Sequence, residues 1–318
     1  MRATAHLSRP AAAPAVIPPI IAGNTPPCCT DLITLRYNRS MTLDARQPRP
    51  DGKILVLDLD DTLLRADKTV TAAARAALTR WQGAGHTIVV ATGRPPRAVG
   101  HVLPPELADA IRIVYNGAHI VASGCTIFRN EIAPDDVRTI LRWTAESAPH
   151  WCVGLEIEDK LFLNRETPKP GHYIVADLWE KCDQPAAKVI FLFPDTRDDL
   201  APLLAMLPPT TRALVSPKFS LVQVCGGQTN KATALHYLLQ QWGRSFADVI
   251  AIGDDVNDVE LVAQAGIGIA MANSVPDLLA VADWVTASNE EDGVPLAIDR
   301  LLAAENPANF GGRESAHP

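Results

Sequence analysis

An apolar run that ends in three acids constrains the fold of this chain more than any other segment. The run is ILVLDLDDTLL at residues 54–64, and its first part has the pattern of a buried strand. Asp58, Asp60 and Asp61 lie at the carboxyl end of that strand. A second apolar strand pattern, DVIAIGDD at residues 248–255, also ends in acids. Ligands of open α/β sheets bind outside the carboxyl ends of the strands, so both segments indicate a site at one sheet edge.

Strand and helix patterns alternate from Lys53 onward, which predicts a parallel, doubly wound α/β sheet. The Ala-rich segment at residues 71–82 is typical of a helix, and Gly83 and Gly85 can end it. A helix at residues 274–282 is expected to begin at Ser274. The predicted core strands lie at residues 53–59, 86–92, 112–116, 248–255, 267–271 and 283–286, and further helices at residues 227–243 and 257–266.

The middle of the chain has a different pattern, which predicts an inserted α+β cap domain. Residues 133–148 have the pattern of an amphipathic helix. Its apolar side carries Val137, Ile140, Leu141 and Thr144. Alternating stretches typical of a mixed, antiparallel sheet lie at residues 153–164, 188–193 and 212–224. We therefore expect a discontinuous core at residues 51–130 and 214–304, interrupted by the cap domain at residues 131–213.

Composition limits the classes of protein to which the chain can belong. With 318 residues, of which 47% are hydrophobic, it can bury a sizeable core. Its formal net charge of −7 argues against a general binder of nucleic acid or anionic membranes. No uninterrupted apolar stretch reaches the roughly 18 residues that a membrane-spanning helix needs. The six cysteines show neither a metal-ligand spacing nor a compact disulfide framework, which favours reduced thiols and a cytoplasmic location.

The first 50 residues differ from the rest, with eight of the 26 prolines, six arginines and only two acids. The apolar stretch at residues 11–23 follows Arg2 and Arg9 and so resembles a signal peptide, but its internal prolines make a poor apolar helix. We expect residues 1–50 to be a disordered leader, with Met41 as an alternative start, and residues 305–318 to be a disordered tail.

The polar residues at the strand ends predict a metal site. Any one of these acids could serve as a helix cap or turn residue, because Asp favours both positions. However, Thr92 ends a further strand and Asp254 and Asp255 end another, so three strands end in matching polar residues. Carboxylates brought this close repel unless a proton or a cation intervenes. Mg²⁺ prefers oxygen ligands and would relieve the repulsion.

Lys231 predicts an anion at the same edge of the sheet. It lies in the first turn of the helix at residues 227–243, for which Thr229 or Asn230 is the expected cap. A lysine in the first turn opposes the helix dipole, which is a small penalty if the side chain is merely exposed. A phosphate bound at this helix start would make the lysine favourable instead.

Four segments in this order resemble the motifs of the haloacid dehalogenase (HAD) superfamily of Mg²⁺-dependent phosphatases. They are DLDDT at residues 58–62, ATGRP at residues 91–95, Lys231, and GDDVND at residues 253–258. YNGA at residues 115–118 and the stretch at residues 271–298 are similar to elements of the Cof-type subfamily. The resemblance covers about residues 53–302 and implies a HAD-type, Rossmann-like core. Asp61 departs from it, since many relatives have glycine there, and the leader has no matching counterpart.

The resemblance implies a phosphoryl-transfer role for each catalytic residue. Asp58 would be the nucleophile that forms an aspartyl-phosphate, and Asp60 would be the general acid and base. Thr92 would donate a hydrogen bond to a phosphoryl oxygen, and Lys231 would offset charge on the equatorial oxygens. Thr62 would steady the loop.

The resemblance also implies which residues bind Mg²⁺ and which contact the substrate. Mg²⁺ would be held by Asp58, the main-chain carbonyl of Asp60, and Asp254, with Asp258 in the outer shell. Asn257 would orient that shell or contact phosphate, while Asp255 is expected to start the following helix. Arg94 and Asn116 are candidate substrate contacts, with loop packing or capping as the alternative reading of both.

The cap domain is expected to close over the site and select the substrate, a small phosphate monoester such as a sugar phosphate. Arg165, His172 and Lys188 are candidate contacts to its leaving group, or else ordinary surface residues. A phosphomutase or phosphotransferase of the same superfamily, an aspartate-phosphorylated signalling receiver and a non-catalytic metal-binding relative are the alternatives. The sequence does not set the oligomeric state.

Overall fold

A computed structural model of the chain describes residues 47–168, 171–192, 200–216 and 220–304. The tail at residues 305–318 and all but the last four residues of the expected leader lie outside this range, as does Met41. Among the described residues, no helix has the length and apolar character required to cross a membrane.

A large, mostly parallel sheet forms the core. Its strand order is β14-β13-β12-β1-β2-β3-β4-β5, and the first six strands in that order are parallel. β4 and β5 add an antiparallel hairpin at one edge. The strands are β1 (Ile54–Leu57), β2 (Thr87–Ala91), β3 (Ile111–Val114), β4 (His119–Ala122), β5 (Cys125–Arg129), β12 (Val249–Gly253), β13 (Ile267–Ala270) and β14 (Trp284–Val285).

The apolar run of β1 is explained by its central position between β12 and β2. Successive side chains of a strand point to opposite faces, and a parallel sheet covered on both faces buries all of them. Leu55 and Leu57 belong to the cluster on one face, whereas Ile54 and Val56 belong to the cluster on the other. The first cluster includes side chains of α1 (Ala72–Gly83) and α8 (Gly293–Ala303), and the second those of α5 (Lys231–Trp242) and α6 (Val259–Gln264).

The first residues of three helices show how each helix begins, and two of these helices had an expected cap or start. Thr71 caps α1 by accepting a hydrogen bond from the amide of Ala74. Asn230, rather than Thr229, caps α5, because Thr229 donates its hydroxyl to the carbonyl oxygen of Asn130. The expected start at Ser274 is wrong, since α7 (Pro276–Leu279) begins after Val275 and is four residues long.

A second sheet is inserted between β5 and α5, with the strand order β10-β11-β9-β6-β7-β8. One of its faces packs against α3 (Pro134–Ser147), whose buried residues are those of the predicted apolar side. Its strands are β6 (Cys152–Ile157), β7 (Lys160–Leu163), β8 (Ile174–Val175), β9 (Lys188–Leu192), β10 (Thr211–Ser216) and β11 (Leu221–Gly226). Among the described residues, the remaining α-helices are the short α2 (Pro96–Val99) and α4 (Ala201–Met206).

The boundary expected between residues 213 and 214 is wrong, because it cuts through β10. β10 pairs along its whole length with β11, from Thr211 opposite Gly226 to Ser216 opposite Leu221. β11 also pairs with β9, and Val222 and Val224 pack in the cluster under α3. The inserted domain therefore extends to Gly226.

Candidate active site

Three buried carboxylates meet at the carboxyl edge of the large sheet. Asp58 follows β1, and Asp254 and Asp258 follow β12. Each offers an oxygen within 4.8 Å of the others, and all three side chains are buried. Parallel pairing of β1 with β12 brings these segments together, as the strand-end pattern predicted.

Lys231 lies inside this acidic cluster and is fully buried. Its Nζ donates hydrogen bonds to Oδ1 of Asp58 at 2.6 Å and to Oδ1 of Asp258 at 2.7 Å. Burial alone would lower the pKa of Lys231, but the charges of Asp258 and Asp58 outweigh it and raise the pKa above its ordinary value. The lysine is therefore a permanent cation beside the expected nucleophile.

One ammonium does not balance three carboxylates, and the remaining negative charge suits a divalent cation. Burial raises the pKa of Asp58 well above its ordinary value, and Asp258 and Asp254 add to the effect. Burial and the neighbouring Asp258 raise the pKa of Asp254 to about 7. The donor set consists of hard oxygen atoms, which fits Mg²⁺. Asp58 and Asp254 are the residues that would hold the ion.

Two neighbours fix the orientation of the acids that follow β12. Thr62 donates its hydroxyl to Oδ1 of Asp254 at 2.7 Å. Oδ1 of Asp258 accepts a hydrogen bond from Lys231, and Oδ2 of Asp258 accepts hydrogen bonds from the amides of Asp254 and Asp255. This engagement of both oxygens fits an outer role for Asp258. Asp255 starts the turn at Val256–Asp258 as its cap, as expected.

Asp60 is not a member of the acidic cluster and is paired with two cations. Arg94 binds both of its carboxylate oxygens, Nε to Oδ2 and Nη2 to Oδ1, each at 2.7 Å. Lys68 adds an ion pair at 2.9 Å. Burial alone would raise the pKa of Asp60, but the hydrogen bonds from Arg94 and Lys68 outweigh it and lower the pKa. Sequence reasoning missed Lys68, which lies in a turn after the first motif and has a positive φ of 64°.

Asp61, where many relatives have glycine, lies next to Asp60 in an unusual backbone conformation. Asp61 has a φ of 60°, in the left-handed region that favours glycine and that Asp tolerates better than most residues. Asp61 therefore occupies a backbone conformation that explains why glycine is usual there.

The second motif packs closely against the YNGA segment. Oγ1 of Thr92 accepts a hydrogen bond from the amide of Arg94, and the side chain is buried. A Cβ on Gly93 would lie 2.7 Å from Oδ1 of Asn116, so a larger residue here would displace the Asn116 side chain. Gly117, at a φ of 103°, lies so close to Asn230 that a Cβ would be 2.1 Å from its carbonyl oxygen.

Amide side chains connect these loops to the inserted domain. Asn257 donates to Oδ1 of Asn116 at 3.0 Å, and Asn116 donates to Oε1 of Gln223 on β11 at 3.3 Å. Lys188 on β9 donates to the same Gln223 oxygen and to the carbonyl oxygen of Gly93 at 2.8 Å. Sequence reasoning missed Gln223 as a residue of the inserted domain, because the expected core resumes at residue 214 and so includes β11.

A second contact joins the two sheets through Arg97 on α2. Its guanidinium binds both carboxylate oxygens of Glu156 on β6, each at 2.8 Å, and Asp159 lies at 3.3 Å. Of the polar residues expected to contact the leaving group, Lys188 alone lies at the junction. Arg165 instead donates to the carbonyl oxygens of Pro149 and His150, and His172 is exposed.

The family follows from comparison with known proteins. A sequence model of the haloacid dehalogenase-like hydrolases matches residues 55–298. The chain belongs to this family. It is 30% identical to the HMP-PP phosphatase of Cronobacter sakazakii over 241 residues, which cover 72% of this chain and 87% of that protein.

Further similarities agree with this assignment. The chain is 26% identical to the 5-amino-6-(5-phospho-D-ribitylamino)uracil phosphatase YitU of Bacillus subtilis, over 76% of this chain and 94% of that protein. The solved structure of BT1666 from Bacteroides thetaiotaomicron, described as a HAD superfamily phosphatase, superposes with a TM-score of 0.69 at 28% identity. That match covers 80% of this chain and 97% of the other. The predictions of a Cof-type HAD protein, of its α/β fold and of an enzyme of the phosphatase class are confirmed.

Proposed function

We propose that this HAD enzyme hydrolyses a small phosphate monoester with Mg²⁺, through an aspartyl-phosphate on Asp58. The observation that carries the proposal is the position of Asp58, which is bound by the Lys231 ammonium and lies within 4.8 Å of the Asp254 carboxylate in one buried cluster. When bound there, Mg²⁺ would offset charge on the phosphoryl group and the carboxylates.

In the first step, a carboxylate oxygen of Asp58 attacks phosphorus, and the bond from phosphorus to the leaving oxygen breaks. Asp60 gives its proton to that oxygen, so the product leaves as an alcohol. Before this step, Asp60 must give up its ion pairs with Arg94 and Lys68 and take up a proton from solvent. Lys231 and the hydroxyl of Thr92 offset charge on the phosphoryl oxygens.

In the second step, water attacks phosphorus, the bond to the Asp58 oxygen breaks, and inorganic phosphate is released. Asp60, now ionised, accepts the proton of the attacking water. Asp60 then releases this proton to solvent, and Arg94 and Lys68 stabilise the ionised form seen in the structure. Asn116 and Asn257, which hydrogen-bond to each other beside Gly93, would contact the phosphoryl group or orient the ion's water shell.

The inserted domain would act as the cap that covers the site and selects the substrate. The contacts of Lys188 with Gly93 and of Glu156 with Arg97 support this role, because they join the second sheet to the loops around the site. Domain closure of this kind excludes water and completes a catalytic site in many enzymes.

Release of inorganic phosphate from acetyl phosphate and p-nitrophenyl phosphate, with Mg²⁺ and with a chelator, tests the proposal. We expect turnover with Mg²⁺, at most a trace with the chelator, and none in Asp58→Asn. Undiminished turnover after thorough chelation would contradict the metal requirement. Isomerisation of a sugar phosphate without phosphate release would favour the mutase, and a stable phosphoprotein without turnover would favour the signalling receiver.

A further inference from the structure

One face of the second sheet is turned towards the site. Side chains two residues apart on a strand share a face, and directly paired residues on neighbouring strands share it too. Glu156, Lys188 and Gln223 lie on one face, and each contacts a core residue. The opposite face, which carries Val153 and Phe191, is packed against α3.

Beyond these contacts, the site-facing surface is mainly apolar. The pairing registers define one row of residues from β8 to β10, in which Gln223 is the polar member: Val175, Leu163, Gly154, Ile190, Gln223 and Leu214. The next row outward carries Cys152, Leu192 and Leu221 and ends in the polar Ser216 on β10.

Gly154 makes this surface continuous. A Cβ at Gly154 would lie 2.5 Å from Cδ2 of Leu163 and 2.9 Å from both Cγ1 of Ile190 and Cδ1 of Leu161. The side chains of its neighbours therefore lie across the glycine. The resulting cluster of Cys152, Leu163 and Ile190 is extended by Leu161, Tyr173, Leu192 and Leu221, which keep part of their surface exposed.

The charged residues of this face are already engaged. Lys188 donates to Gly93 and Gln223, and the carboxylate of Glu156 is bound by Arg97. Arg212, which lies on the same face of β10, forms an ion pair with Glu260 on α6. These groups serve the contact with the core, so the rows beyond them offer a substrate mainly apolar surface.

We propose that the leaving group of the substrate is apolar, an aryl or alkyl group, and that the apolar rows of the second sheet select it over a polyhydroxylated sugar. This inference rests on the proposed phosphatase function. Burying an apolar leaving group against this surface is favourable, because it removes apolar area from water. A sugar hydroxyl held against the same surface is unfavourable, because it gives up its hydrogen bonds to water without gaining a partner.

A matched pair of primary phosphate esters tests the proposal: benzyl phosphate and glucose 6-phosphate. Both leaving groups are primary alcohols, so their kcat/KM values compare recognition more than leaving-group reactivity. We expect benzyl phosphate to be preferred at least about tenfold, which corresponds to loss of one hydroxyl partner. Acetyl phosphate, whose leaving group is small, monitors the chemistry itself.

Leu192→Gln and Leu221→Gln place amides on the apolar rows and should each lower the preference for benzyl phosphate at least fivefold. Leu204→Gln is the matched control, because Leu204 lies on α4 and is 44% exposed. It should leave the ratio unchanged. Melting temperatures show whether each variant folds. If one of the two row variants does not fold, the other is enough for the comparison with Leu204→Gln.

The outcomes separate the two proposals. Turnover of acetyl phosphate with equal or greater kcat/KM for glucose 6-phosphate would overturn the apolar selection and leave the phosphatase function standing. A shift in the ratio as large for Leu204→Gln as for the row variants would also overturn it. Failure to hydrolyse any of the three compounds with Mg²⁺ would instead refute the proposed function, and this inference with it.

Discussion

The ammonium nitrogen of Lys231 lies 2.6 Å from Oδ1 of Asp58, although 173 positions separate the two residues in the chain. Both side chains are buried, and the same nitrogen also binds Asp258. The pair places a cation where the proposed phosphoryl transfer needs one, and it keeps two buried carboxylates compatible with the folded state. It therefore contributes to stability as well as to the proposed chemistry.

Replacing Lys231 by methionine should destabilise the protein strongly. The substitution leaves Asp58 and Asp258 buried without their counter-ion, and breaking a buried pair on one side costs about 3–5 kcal/mol. Urea unfolding in the presence of a chelator measures the loss. Lys53→Met is the control, because Lys53 makes one exposed hydrogen bond and should change stability by less than about 0.5 kcal/mol. Equal losses in both variants would contradict the structural role of Lys231.

Asp58→Asn and Asp60→Asn should fail in different ways. Asp58→Asn removes the nucleophile, so turnover and phospho-enzyme should both vanish. Asp60→Asn keeps the nucleophile but loses the proton donor and acceptor, which is typically worth roughly 10²–10⁴ in rate. Its loss should be smaller for a nitrophenyl ester, whose leaving group hardly needs protonation.

Rapid quench and intact-mass measurements distinguish the two variants. With an activated ester, Asp60→Asn should accumulate phosphate on Asp58, because the hydrolytic step lacks its base. Equal losses for activated and alkyl esters, with no trapped phosphate, would exclude the acid–base role of Asp60 but not the role of Asp58.

Mg²⁺ should raise the melting temperature of the wild-type protein, and Asp254→Asn should reduce that rise. A ligand that binds only the folded state adds about 2.7 kcal/mol at a concentration of 100 times its Kd. Differential scanning fluorimetry over a Mg²⁺ titration measures the effect without any substrate. Asp299→Asn is the control, since Asp299 is exposed and pairs with Arg80. An unaltered Mg²⁺ shift in Asp254→Asn would remove Asp254 from the ligand set.

Arg97→Met should weaken the contact between the two sheets. Glu156 is buried and loses both guanidinium hydrogen bonds, so we expect a loss of about 1–3 kcal/mol. Arg80→Met breaks an exposed pair with Asp299 and should cost less than about 1 kcal/mol. Thermal unfolding of both variants makes the comparison. A cost for Arg97→Met no larger than that of Arg80→Met would show that the contact contributes little.

Much of the core could be predicted from local sequence pattern. Buried parallel strands have continuous apolar runs, and the acids after β1 and β12 break those runs at recognisable positions. The hairpin of β4 and β5 was not predicted, because two short strands at a sheet edge carry little periodic signal. The Ser123-Gly124 pair between them, with both φ values positive, was the available turn signal.

The sequence by itself determined which strands end in acids and which helix begins with Lys231, because these features depend on neighbours within a few residues. Tertiary structure decided that Arg94 and Lys68 pair with Asp60, that Lys188 and Gln223 join the second sheet to the site, and that this sheet extends to Gly226. The contacts of Arg94 with Asp60, of Lys188 with Gly93 and of Gln223 with Asn116 join residues at least 34 positions apart in the chain. Their geometry depends on strand order, pairing register and side-chain conformation, which local patterns do not specify.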